Sequence, residues 1–182
     1  MTTDALFPTT VRMIRFALPA MLAGVTVPLM GMVDVAVLGR LGDPAVIAAV
    51  GVAATIFSVI AWSFSFLRFT TTGLVAQAAG RADDNEAVVQ GLRPLVAAVV
   101  GGVVFAALQA PLVNLGLALI APEPNVAAMA REYFGIRMLG LPFTLSLYAL
   151  LAWLMGMGSP RTVLVLNLVM NGVNVVLTIW FV

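Results

Sequence analysis

Five times along this chain an apolar run long enough to cross a bilayer gives way to a short connector built from turn residues. The runs cover about residues 14–39, 45–78, 92–120, 127–156 and 162–182, and the connectors read "GRLGDP", "GRADDNEA", "APEPN" and "GSPR". About 20 residues of helix cross the roughly 30 Å of hydrocarbon in a membrane. Backbone groups in lipid have no water to bond, so segments of this kind must satisfy themselves as helices. Composition agrees, with 62% of the 182 residues hydrophobic, 9% charged and a mean hydropathy of +1.10. A soluble domain is about a quarter charged. The pattern predicts an all-α integral membrane protein, a bundle of about five transmembrane helices forming one transmembrane domain over residues 1–182.

Several kinds of chemistry are excluded by what the chain lacks. It has no Cys and no His, which removes disulfides, thiol nucleophiles, zinc centres of the usual kind and imidazole acid–base catalysis. An intramembrane aspartyl enzyme needs two aspartates that meet, and Asp34 is the one Asp within a run. No phosphate-cradling loop is present, so the chain reads as a non-enzyme without cofactor or structural metal. A net charge of +1 with no basic cluster gives nucleic acid no purchase.

Orientation follows from arginine, the chain's sole basic residue type. Arg12 and Arg15 precede a run that continues well past a signal-peptide core, so it reads as a retained first span. With the N-terminus inside, Arg12, Arg15, Arg68, Arg81, Arg93 and Arg161 fall at cytoplasmic ends, and Arg40, Arg131 and Arg137 at the outer side. The inside excess favours a cytoplasmic N-terminus.

Two features point to transport. Asp34 lies some six residues from the outer end of the first run, where an ionised carboxylate is costly unless paired or facing a wet cavity. Such a group can exchange a proton or cation between two environments; the plainer alternative is an interfacial acid capping a neighbouring helix or pairing with Arg40. The second feature is "LNLVMNGVNVVLTIW", in which Asn167, Asn171, Asn174 and Thr178 recur at spacings of four, three and four. These put all four on one helix face, to line a cavity or to bond neighbouring helices. Tyr133 reads as an interfacial anchor, and the deeper Tyr148 could offer its ring to a flat or cationic ligand. Pro19 and Pro28 interrupt the first run, as a static kink or as a hinge.

Four stretches, "RFALPAML…MVDVAVLGRLG", "GLVAQAAGR", "AREYFGIRMLGLPF" and "GMGSPRTVLVLNLVMNGVNVVLT", together resemble the N-terminal lobe of multidrug and toxic compound extrusion (MATE) transporters of the prokaryotic branch. That resemblance covers about residues 12–182. It implies half of a twelve-helix transporter, with helix six and the C-terminal lobe missing, in a prokaryotic plasma membrane. It implies export of cationic or amphipathic small molecules against entry of protons or sodium, with Asp34 as the coupling acid and Pro19 as the bending point of the first helix. Asn174 matches a family Asn, and Tyr133, Tyr148, Asn167 and Asn171 would line the substrate cavity. Where the family places an Asp, this chain has Thr178. A sodium site at Asp34 and Asn174 would then carry one formal charge, so proton coupling is the stronger expectation and sodium the weaker. The competing readings are a flippase for lipid-linked sugars, which would want a cationic cavity, and a membrane scaffold whose polar residues serve only as glue.

Overall fold

The computed structural model describes residues 13–14, 16–25 and 43–181. Among them all regular structure is helical: α1 (Phe16–Val25), α2 (Pro44–Ser63), α3 (Ser65–Gly80), α4 (Asp84–Ala107), α5 (Gln109–Ile120), α6 (Pro124–Leu139), α7 (Leu141–Gly156) and α8 (Pro160–Phe181). Pro44–Gly80, Asp84–Ala107 and Pro160–Thr178 are each long and apolar enough to cross a membrane. The pair α6 and α7, bent by 49°, is together long and apolar enough to count as a fourth. Of the expected first span only the short α1 is described; the rest, with Arg12, Arg15, Pro28, Asp34 and Arg40, lies outside the described residues.

The helix ends are written locally. Asp43 caps α2, its Oδ1 accepting the Ala45 N–H at 2.8 Å, and Pro44 occupies the first turn where a missing donor costs nothing. Asp83 caps α4 through the Glu86 N–H at 3.0 Å, with Asp84 and Glu86 adding negative charge at the positive end of the helix dipole. Ala121 ends α5 in the left-handed region at φ 48°. Gly158, at φ 74°, makes the turn before α8, where a side chain would be strained.

The chain forms two compact units. One holds residues 42–157, with α2–α3, α4–α5 and α6–α7 side by side. The α2–α3 and α6–α7 runs are parallel and in constant register, since Phe57 meets Arg137, Arg68 meets Tyr148, and the Thr72 hydroxyl donates to the Ala152 carbonyl at 3.1 Å. The α4–α5 run is antiparallel to α6–α7 and keeps register through its own break at Leu108. Gly91 meets Trp153, Gly102 meets Pro142, Gln109 faces Gly135, and Arg131 bonds Asn114.

Burial follows one stripe through the bend. Val126, Ala130, Phe134 and Met138 on α6 continue as Leu141, Leu145, Ala149, Ala152 and Gly156 on α7, at spacings of three and four. Lipid supplies no hydrophobic drive between helices, so association here rests on close packing of small residues. Ala49, Ala53, Ala78, Ala87, Ala98 and Ala130 are accordingly among the most deeply buried. A Cβ at Gly102 would stand 2.8 Å from the Pro142 nitrogen, and one at Gly156 2.9 Å from the Thr72 carbonyl oxygen. Large apolar side chains such as Val59, Trp62, Phe66 and Phe143 stay exposed, as expected where the solvent is hydrocarbon. The other unit comprises residues 1–41 and 158–182; within it the Asn167 side-chain amide donates to the Ala23 carbonyl of α1 at 3.4 Å.

Candidate functional site

The polar stripe is real as a helical feature. Residues 160–181 form one uninterrupted helix, so Asn167, Asn171, Asn174 and Thr178 recur along one side of α8. Asn167 is tied to α1, and Asn171 is engaged as well. Lower on the stripe the Thr178 hydroxyl donates to Asn174 Oδ1 at 3.2 Å, making a neutral pair of oxygens one helical turn apart. Pro19 lies within α1, half-buried. Asp34, the acid expected to work with Asn174 and Thr178, falls outside the described residues.

Tyr133 and Tyr148 belong to the other unit, and each is already engaged by a guanidinium. Arg137 Nη1 donates to the Tyr133 hydroxyl at 3.0 Å, and its guanidinium carbon stands 4.6 Å from the centre of the buried Phe57 ring. The guanidinium of Arg68 lies 5.5 Å from the centre of the Tyr148 ring, so the face that the sequence offered to a cationic ligand carries a cation of the protein itself.

These two arginines lie within long apolar helical runs. Arg68 was expected at the inner end of the second span and Arg137 at the outer side of the fourth. Helix continues from Arg68 through Thr70, Thr71 and Thr72 to Gly80, as the sequence predicts, and Arg68 stands about 36 Å along a 37-residue run that exceeds the roughly 30 Å of hydrocarbon. Arg137 lies in the last turn of α6, three residues before Gly140, which divides the bent span nearly in half. A basic residue near the centre of a transmembrane helix costs about 2.5–3.5 kcal/mol even on insertion scales. Part of that is offset by the Phe57 ring, worth about 0.5–2 kcal/mol, and by the negative end of the α6 dipole.

The same level holds the break that the sequence reading missed. Residues 127–156 look like one apolar run, yet "LGLPF" interrupts it: Gly140 caps α6, and Pro142 has no N–H to offer the preceding turn. Thr144 Oγ1 donates to the carbonyl of the capping Gly140 at 3.1 Å, and Ser146 Oγ to that of Pro142 at 2.7 Å. Beside the break, Gln109 Oε1 is buried without a hydrogen-bond partner, as is Thr71 Oγ1 on α3. The signal available in the sequence was a Gly and a Pro two residues apart, with an Arg one turn before. A shallow groove between α2 and α6, lined by Val46, Ala49, Val50, Met129, Glu132, Tyr133 and Ile136, leads toward this level.

Long apolar helices packed through small residues, with large apolar side chains left on the surface, define an integral, multi-span membrane protein. The family model MatE matches residues 19–180. The chain belongs to the MatE family, whose members are transporters. It is 37% identical over 168 residues to DNA damage-inducible protein F of Escherichia coli (strain K12), a match covering 92% of this chain and 37% of that relative's length. No solved structure gives a significant match.

Proposed function

We propose that this chain supplies the N-terminal lobe of a proton-coupled exporter of cationic or amphipathic small molecules in a prokaryotic plasma membrane. The observation that carries the reading is the polar face of α8, with Asn174 and Thr178 joined at 3.2 Å on a helix otherwise dressed for lipid. Asp34 is the protonation site in this reading, and Asn167, Asn171, Tyr133 and Tyr148 contribute to the substrate path. Proton and cationic cargo compete for one carboxylate, and that mutual exclusion is what exchange requires. Asn174 and Thr178 bring only neutral oxygens, which supports protons over sodium as the coupling ion. Pro19 is the bending point through which the first helix would close the outward path.

The test is ethidium movement in liposomes holding the polypeptide encoded by the full reading frame, under an imposed pH gradient and then a sodium gradient. Movement should follow the pH gradient and vanish in Asp34→Asn, with insertion unchanged. Full activity in a well-inserted Asp34→Asn protein sinks the mechanism, and movement driven by sodium reassigns the coupling ion.

A further inference from the structure

We infer that Arg137 is the head of a second binding site, of opposite sign to the one proposed at Asp34, which takes the anionic group of an amphipathic small molecule at the level where α6 breaks into α7. The site stands on unit 42–157 and does not rest on the coupling role of Asp34.

The argument begins with the donors of the guanidinium. Arginine carries five N–H groups in a planar fork and cannot shed its proton. One N–H of Arg137 goes to the Tyr133 hydroxyl, and one face lies over Phe57. Among the described residues no carboxylate pairs with it and no second acceptor meets it. Its residue is nonetheless exposed on an apolar surface, between the exposed Ile136 and Leu139, in a helix pair apolar enough to lie in a bilayer. Four N–H groups on so apolar a surface require acceptors, and a planar anion such as a carboxylate meets two at once.

The surroundings fix the geometry. Phe57 and Tyr133 hold the fork from a ring face and from its Nη1, so it is preorganised rather than swinging freely. Tyr133 is also a wall of the groove between α2 and α6, whose other walls are Val46, Ala49, Val50, Met129 and Ile136. An apolar body can therefore lie in the groove while its anionic head meets Arg137. Glu132, the groove's one charged wall, lies a turn farther out and discourages anions from stopping short of the arginine. Interrupted helices at mid-depth are where membrane transporters expose polar groups to a ligand, and this break provides one.

The chain in neutral maltoside micelles should be dialysed against 1-naphthoate and, separately, against its uncharged isostere 1-naphthamide, with empty micelles subtracted. The site predicts saturable naphthoate binding at least about tenfold tighter than naphthamide, the scale of a charge-assisted hydrogen bond. Arg137→Gln should abolish that preference, Arg137→Lys should keep the sign of the preference but weaken it, and Arg131→Gln should leave it intact. Repeating the measurement in nanodiscs with and without phosphatidylglycerol separates two sources of the anion. Loss of naphthoate in the anionic lipid assigns the site to a lipid phosphate; retention assigns it to free carboxylates. Equal binding of acid and amide by the unaltered chain overturns the proposal whether or not any variant folds, as does a preference that survives in Arg137→Gln.

Discussion

Glycine does two different jobs in this protein, and one added methyl tells them apart. At Gly102 a Cβ would press on the Pro142 backbone, which belongs to the rigid start of α7 and cannot swing away. Gly102→Ala should cost about 1–3 kcal/mol by overpacking. At Gly51 a Cβ meets nothing within 4 Å, so Gly51→Ala should gain up to about 1 kcal/mol from helix propensity alone. Thermal unfolding of the two variants in one detergent measures both, and shifts of the same sign would contradict the packing described. Arginine shows the same dependence on place. Arg131 reaches a neighbouring Asn114 at 2.9 Å from the middle of α6, while Arg137, six residues on in the last turn, is held over an aromatic ring.

At the scale of elements, the bend between α6 and α7 is the feature with most consequence. Buried residues keep one helical phase across it, so the break redirects the axis without turning the packed face away from its neighbours. The α4–α5 run breaks at Leu108 within the same antiparallel register, and Phe64, between α2 and α3, packs edge-on against Phe105 with ring centres 5.1 Å apart. Three adjacent runs thus change direction or pause near one level. Pro142→Ala returns a donor to the preceding turn and should straighten α6–α7. Spin labels at Glu123→Cys and Met157→Cys should then move apart by about 4 Å, given two arms of roughly 24 Å and the observed 49° bend. An unchanged distance would place the cause of the bend in the packing of Gly102 against Pro142 rather than in the proline itself.

At the scale of the whole molecule, topology is the open quantity that a simple measurement reaches. Setting aside Arg68 and Arg137, which lie within long helical runs, leaves Arg12, Arg15, Arg81, Arg93 and Arg161 at the proposed inner ends against Arg40 and Arg131 at the outer ends, a bias of the same sign. The natural absence of cysteine makes single labels clean. An impermeant maleimide should label Asp84→Cys only in inverted vesicles and Glu123→Cys only in right-side-out ones. The reverse pattern would put the N-terminus outside and turn the proposed proton path around.

Class and family were legible in the sequence because each rests on local chemistry repeated along the chain. Apolar runs of membrane length force helices, turn residues between them force reversals, and four ordered stretches carry the MATE likeness. The α8 stripe was legible for the same reason, since spacings of four, three and four place residues on one face of a helix whatever it packs against. The depth of Arg137, the cation resting on Tyr148 and the break at Gly140 were decided by tertiary structure. An arginine inside an apolar run reads as the edge of a span until a neighbouring helix brings Phe57 beneath it. A Gly and a Pro two residues apart read as tolerable until another helix comes close enough at Gly102 to use the bend. Periodicity reports which residues share a face; the stabilisation of a charge in lipid depends on what that face meets.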